Sequence, residues 1–243
     1  MPELTVASFN IHWGRGSKRD GCPPFDVVEA CASFEADVIV LQEAWTPDGG
    51  VGQHDEVAEA LGMRAVAVPM ARAVLEPRPK LLGRAVETNR AGNGIWSLAL
   101  LSRKPIRTTR TLPLPQLPLD RWSRCLLHAE VDVDGTNLSL VATHFAHLEV
   151  GSPLQTRALR RGLPPADRPG ALIGDMNMWG WTIDAMAPRG WRRAVRGKTW
   201  PAARPRHQVD HLLVTPSVEV VQGEVLPHLG SDHLPIRARL RVT

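Results

Sequence analysis

One apolar run after another in this chain stops on a side chain that strands normally avoid. Residues 4–9 run into Asn10, residues 38–41 into Gln42 and Glu43, and residues 140–143 into His144. Residues 171–174 run into Asp175 and, two positions on, Asn177, while Val209-Asp210-His211 opens a further run with its acid at the start. Near the C-terminus, Gly230-Ser231-Asp232-His233-Leu234-Pro235 sets an Asp and a His in a tight loop that feeds residues 236–240. Any one of these has an ordinary explanation as an Asx turn, a cap or a solvated end. Their recurrence on successive runs predicts a fold that gathers strand ends at one edge.

The remaining patterning supplies the elements. The run 37–43 is continuously apolar before its end and reads as a strand buried on both faces, ending in Glu43. Val27, Val28, Cys31 and Phe34 share one stripe of a helix over residues 25–34. Further helices are predicted over 53–61 and 153–162, and Asp134-Gly135 joins strands 125–133 and 137–143 as a hairpin. Residues 69–94 show little periodicity and read as a long irregular segment, and the proline-rich stretch 113–118 as loop. A strand covers 93–103. About eleven strands, mostly antiparallel, and three or four short helices predict an α/β protein with two packed sheets flanked by helices. With no repeat or linker, residues 1–243 form one domain.

Composition narrows the partners. The 43% apolar content suffices for a sizeable core. A net charge of +4, carried by 25 Arg and four Lys, favours anionic partners without naming one. Cys22, Cys31 and Cys125 are odd in number and in no metal or disulfide spacing. Neither a signal peptide nor a membrane-spanning run is present, so a reducing cytoplasm is the expected compartment.

The polar ends have a chemistry in common. Asn10, Glu43, Asp175 and Asp232 offer hard oxygen atoms and no sulfur, a donor set for Mg²⁺ or Mn²⁺ rather than zinc. Glu43 is the first choice as direct ligand, completed by Asn10 and Asp232. His233 is predicted as general base or phosphate clamp, with Asp210 orienting its other ring nitrogen. His12 and His147 lie close in sequence to Asn10 and His144 and stay open as candidates; the other histidines read as structural or solvated.

The order Phe9-Asn10, Leu41-Gln42-Glu43, Thr143-His144, Gly174-Asp175-Met176-Asn177, Val209-Asp210-His211 and Ser231-Asp232-His233-Leu234-Pro235 resembles the endonuclease/exonuclease/phosphatase superfamily. The resemblance implies a four-layer αββα sandwich with the site at one edge of the paired sheets. It implies that Asp175 and Asn177 act on the attacking water and the phosphate oxygens. His144 would be a second imidazole at the phosphate, protonating the leaving oxygen. Two positions depart from the pattern: Gln208 stands where a basic residue is common, and Met176 where Phe is usual.

The substrate is expected to be a phosphoester, with nucleic acid ahead of phospholipid or another small phosphoester. The basic loop 189–206, with Arg192 and Arg193, lies between two candidate strand ends and could track a phosphate backbone. Arg103 and Arg124 border strands that could reach the cleft. Trp179, with Trp181, comes just after Asn177 and could stack on bases or dip into a lipid surface. A non-catalytic interaction protein of the same fold is the remaining alternative, opposed by the completeness of the polar set.

Overall fold

The computed structural model describes residues 1–16, 24–74, 87–88, 93–117, 120, 122–147 and 152–243. Cys22, Pro118 and most of the stretch 75–92 therefore lie outside the described residues. The chain runs β1 (Glu3–Asn10), a 3₁₀ turn (His12–Gly14), α1 (Val27–Ala32), β2 (Val38–Pro47), α2 (Gln53–Leu61), β3 (Arg64–Val74), β4 (Glu87–Thr88), β5 (Gly94–Ser102) and β6 (Ile106–Pro113). It continues with β7 (Cys125–Val133), β8 (Thr136–His144), α3 (Ser152–Gly162), β9 (Gly170–Asp175), α4 (Gly180–Met186), β10 (Arg192–Arg193), β11 (Asp210–Val214), β12 (Val218–Val225) and β13 (Ile236–Val242).

The strands form two sheets, seven strands in the order β12-β13-β1-β2-β5-β3-β4 and six in the order β10-β11-β9-β8-β7-β6. Alternate side chains leave a strand on opposite faces, so each sheet feeds two apolar layers. Val6, Val40, Leu98 and Leu240 of the first sheet meet Leu127, Leu140, Ile173 and Leu212 of the second in a shared core. On the first sheet's outer face, Phe9, Ile39 and Leu41 pack under Cys31 and Phe34 of the α1 segment and Val57 of α2. On the second, Leu126, Val141 and Leu172 pack under Leu159 of α3 and Ile183 of α4. The result is the four-layer sandwich anticipated above. Asp26 caps α1 by accepting from the Val28 and Glu29 amides, and Gly62 ends α2 in the left-handed conformation. No helix among the described residues is long and apolar enough to cross a membrane.

Register explains why the polar ends converge. β1 runs parallel to β2, and β8 parallel to β9, so their C-terminal ends lie at one edge. His144 pairs with Asp175 across β8 and β9. β11 is antiparallel to β9, which puts its first residue, Asp210, opposite Asp175. β13 is antiparallel to β1 and starts opposite Ser8, so the loop before it passes over Asn10. Ser231 fastens that loop, its Oγ donating to the Asn10 carbonyl at 2.6 Å and accepting from the His233 amide at 3.2 Å. At the β8–β9 junction, a Cβ on Gly174 would stand 1.9 Å from the Thr143 carbonyl oxygen. Glycine is what lets the β8 and β9 ends approach so closely.

Several expectations need correction. Glu43 does not end its strand: β2 continues to Pro47, and its register against β5 slips between Leu41 and Ala44. Gln42 and Glu43 occupy a β-bulge in which Glu43 takes φ 60°. Asn177 does not extend β9 either. Its φ is 49°, and its amide turns back to the Asp175 carboxylate at 2.9 Å. The segment read as irregular from residue 69 begins as strand, because β3 runs to Val74 beside β5.

Candidate active site

Asp175 is the hub of the edge where the strands meet. Its Oδ2 accepts from Asn10 Nδ2 at 3.0 Å and lies 3.5 Å from His144 Nε2 and 3.8 Å from His233 Nε2. The other face of His233 contacts Asp210, Nδ1 to Oδ2 at 3.0 Å. Asn10 Nδ2 also reaches Glu43 Oε1 at 3.3 Å, while its Oδ1 accepts from the His12 amide. Asp232 contacts His12 Nδ1 at 3.0 Å and receives a hydrogen bond from the Trp200 side chain. Asn177 hydrogen-bonds the Phe145 carbonyl through Nδ2 and His147 Nδ1 through Oδ1. Asn10, Glu43, His144, Asp175, Asn177, Asp210, Asp232 and His233 are thus gathered at one site.

Burial sets the charge states. Asp175 is 1% exposed. Loss of solvent, with the nearby Asp210 carboxylate, pushes its carboxyl up to about 7 against the opposing charge of His233. Burial also raises Glu43 above the ordinary carboxylate range, with Asp232 adding to it and His12 opposing. His144 and His233 are the same residue type with opposite outcomes. Burial, then the charges of Arg124, His233 and His147, hold His144 well below the ordinary imidazole range. Burial acts the same way on His233, but the carboxylates of Asp210, Asp175 and Asp232 outweigh it and hold the ring well above that range. Asp232 shows the complementary balance: burial would raise it, yet the His12 hydrogen bond and the charges of His233 and His12 keep it below the usual range.

The donor set fits a divalent cation. Glu43 Oε2 and Asp210 Oδ1 are buried carboxylate oxygens with no hydrogen-bond donor among the described residues. Such atoms are costly unless a cation or proton meets them. Asp175, Asp210 and His233 also offer ligand atoms within 4.8 Å of one another.

The substrate candidates are divided by the fold. Trp179 stands at the rim, stacked on His207 with centroids 5.0 Å apart and planes at 13°, and beside the exposed Trp181. Arg124 is buried behind His144, paired with Asp120 at 2.8 Å and lying over Trp96. Arg103 is carried away: it follows Ser102, which pairs with the start of β2, whereas Glu43 lies towards the other end. Arg192 and Arg193 pair with Val214 and Leu213, at the end of β11 remote from Asp210. The Arg192 guanidinium donates to the Val218 carbonyl, and that of Arg193 holds Asp184 and Gln208. Gln208 therefore receives an arginine rather than supplying a charge.

Sequence reasoning left His12 and His147 open and did not single out Trp200. The two histidines carried a local signal, their places two residues after Asn10 and three after His144, and Trp200 carried none. His211, read as structural, is buried and holds the Met178 carbonyl at 2.8 Å, which anchors the loop after Asn177.

Comparison with known proteins bears on the family and the fold. The family model described as "Endonuclease/Exonuclease/phosphatase family" matches residues 7–233. No curated protein sequence matches. Among solved structures, an endonuclease/exonuclease/phosphatase from Beutenbergia cavernae DSM 12333 is 22% identical with a TM-score of 0.75, covering 100% of this chain and 72% of its own. The human Nocturnin catalytic domain is 18% identical with a TM-score of 0.69, over 100% and 94% of the two chains. The mannosyl-6-phosphatase Bt3783 of Bacteroides thetaiotaomicron VPI-5482 is 18% identical with a TM-score of 0.70, over 98% and 99%. At these identities the structures establish the shared fold, and the family model, which spans nearly the whole chain, assigns the protein to the endonuclease/exonuclease/phosphatase family of hydrolases.

Proposed function

We propose that the protein is a Mg²⁺- or Mn²⁺-dependent phosphodiesterase that hydrolyses nucleic acid by attack of water on phosphorus. The observation that carries this reading is the Asp175 hub: one buried carboxylate within 3.8 Å of two imidazoles of different charge state, beside carboxylate oxygens that have no hydrogen-bond donor among the described residues. Glu43 and Asp232, with Asn10 beside them, would hold the ion. Once bound, the ion supplies charge stabilisation at the phosphoryl oxygens.

The chain's own groups handle the protons. Asp175, raised to about 7, is matched to accept a proton from the attacking water near neutral pH. His233, held as imidazolium by Asp210 and Asp175, is placed to bind a phosphoryl oxygen and to protonate the departing alkoxide as the P–O bond breaks. His144 stays neutral and serves as a hydrogen-bonding group at the phosphate. This allocation gives the acid role to His233 rather than His144, and the base role to Asp175. Asn177, tied to Phe145 and His147, fixes the loop that leads to Trp179.

The support for nucleic acid shifts with the fold from Arg192 and Arg193 to a second pair. Thr199 and Trp200 pair with His207 in a hairpin that packs on the Asp232 loop, since Ala202 donates to the Asp232 carbonyl at 2.7 Å. It carries exposed Arg204 and Arg206, and among the described residues no carboxylate pairs with either. Beside them, the Trp179–His207 stack offers a face for planar bases. The free buried thiols of Cys31 and Cys125 suit a reducing compartment.

The test is a panel of plasmid DNA, single-stranded DNA, RNA, phospholipid vesicles, a sugar phosphate and a generic phosphodiester, with Mg²⁺, Mn²⁺ or chelator. Nucleic acid should be cleaved fastest and only with metal. Replacing both Arg204 and Arg206 by Ala should lower the log–log salt slope of single-strand binding by up to about 1.4, roughly 0.7 per lost phosphate contact. Hydrolysis of the generic diester should barely change. Vesicle or sugar-phosphate hydrolysis ahead of nucleic acid, with an unchanged salt slope, would defeat the nucleic-acid assignment.

A further inference from the structure

The backbone just after Asn10 is bent as no strand end requires. His12, Trp13 and Gly14 have φ of 44°, 57° and 68° in succession. For two residues with side chains this is strained backbone, of the kind that persists where surrounding contacts over-determine it. The contacts are present. Gln53 Nε2 donates to the Trp13 carbonyl at 2.8 Å, the Phe25 amide donates to the Gly14 carbonyl at 3.2 Å, and the His12 amide donates to Asn10 Oδ1 at 3.2 Å. Gly14 is required, because a Cβ there would stand 2.8 Å from both Gln53 Nε2 and Val27 Cγ2.

What the bend achieves is the placement of one ring. The His12 imidazole enters between the two carboxylates that the preceding reading assigns to the metal, with Nδ1 3.0 Å from Asp232 Oδ1 and 4.0 Å from Glu43 Oε2. That same Glu43 oxygen is buried and has no hydrogen-bond donor among the described residues. The Trp13 ring packs against His12 with centroids 4.3 Å apart. The loop thus aims a nitrogen donor at the place where an oxygen of each carboxylate can meet a cation.

We infer that His12 is itself a ligand of the divalent ion, adding an imidazole nitrogen to the oxygens of Glu43 and Asp232. This rests on the metal-dependent reading above and deepens it. An imidazole donor favours later transition metals over Mg²⁺, whose ligands are oxygens. The site is therefore one that takes Mg²⁺ weakly and Co²⁺ more tightly than an all-oxygen set would.

Two measurements on the full chain test the assignment without an activity assay. Calorimetric titration compares Mg²⁺ and Co²⁺ binding to wild type, His12→Ala and His12→Gln, with thermal melts to establish folding. Loss of the imidazole should weaken Co²⁺ about 10–100-fold and Mg²⁺ less than about threefold. Electron spin echo spectroscopy of bound Mn²⁺ should show ¹⁴N coupling in wild type and His233→Ala, and none in either His12 variant. His12→Gln, which keeps a hydrogen-bonding side chain, guards against misfolding of the Ala variant. Unchanged or tighter Co²⁺ binding in both variants, or ¹⁴N coupling that survives in them, would show that the ring only fills the gap and would overturn the inference. Failure of wild type to bind any of the three ions would instead overturn the metal-dependent reading, and this inference with it.

Discussion

Asp175→Asn should lower kcat by about 10⁴-fold while making the metal-free protein more stable at alkaline pH. The loss lies at the upper end of the range for a positioned proton-transfer group. Asp175 also organises Asn10, His144 and His233, and residues acting as a unit lose more than one contact when the shared member is removed. The stability gain follows from burial. The folded-state pKa of about 7 lies above the unfolded value of about 3.9. A carboxyl raised in this way favours the folded state at low pH, and that contribution is lost as pH climbs through 7. The Asn variant carries no such penalty. In chelator its advantage over wild type should therefore grow from pH 5 to pH 8, reaching on the order of 2 kcal/mol, or about 4–8 °C in Tm for a chain of this size. Thermal melts at the two pH values read this directly. Equal stabilities at pH 8 would mean that Asp175 is not the costly buried carboxylate, and retained kcat would remove it from the chemistry.

His233→Ala should lower kcat by about 10²–10⁴-fold and abolish the alkaline limb of the pH profile. In the proposed mechanism the imidazolium is the required form, so wild-type activity should fall as pH rises through the raised pKa of this ring. The acidic limb, set by Asp175 accepting a proton, should survive in the variant. The same shift contributes stability that is full below about 6.5 and is lost as pH rises through the folded-state value. Asp210→Asn removes the nearest carboxylate, 3.0 Å from His233 Nδ1. It should move the alkaline limb to lower pH and reduce kcat more than it raises KM, because Asp210 acts through His233. A profile unchanged in both variants would assign the proton to another group.

Much of this site is legible in the sequence, for a reason that lies in strand geometry. An apolar run that ends in Asn10, His144 or Asp175 records both the strand and the side chain at its tip. Parallel and antiparallel pairing then leaves few edges where the tips can meet. What the sequence hides is set by backbone angles and by neighbours distant along the chain. Nothing in the periodicity of residues 38–47 announces that Glu43 sits in a bulge at φ 60°. Charge alone does not tell that the Arg193 guanidinium, 8% exposed, is spent on Asp184. His144 and His233 look alike in sequence, and only their partners, Arg124 for one and Asp210 for the other, separate their charge states. His12 was open to either reading until three positive φ values turned it towards Asp232.

The central claim is water attack on phosphorus at a metal-dependent centre, and isotope transfer measures it most directly. A generic phosphodiester turned over in H₂¹⁸O with Mg²⁺ or Mn²⁺ should give a phosphate-containing product with one ¹⁸O per bond cleaved and an alcohol with none, and chelator should stop the transfer. Label in the alcohol, or incorporation that continues in chelator, would contradict the account.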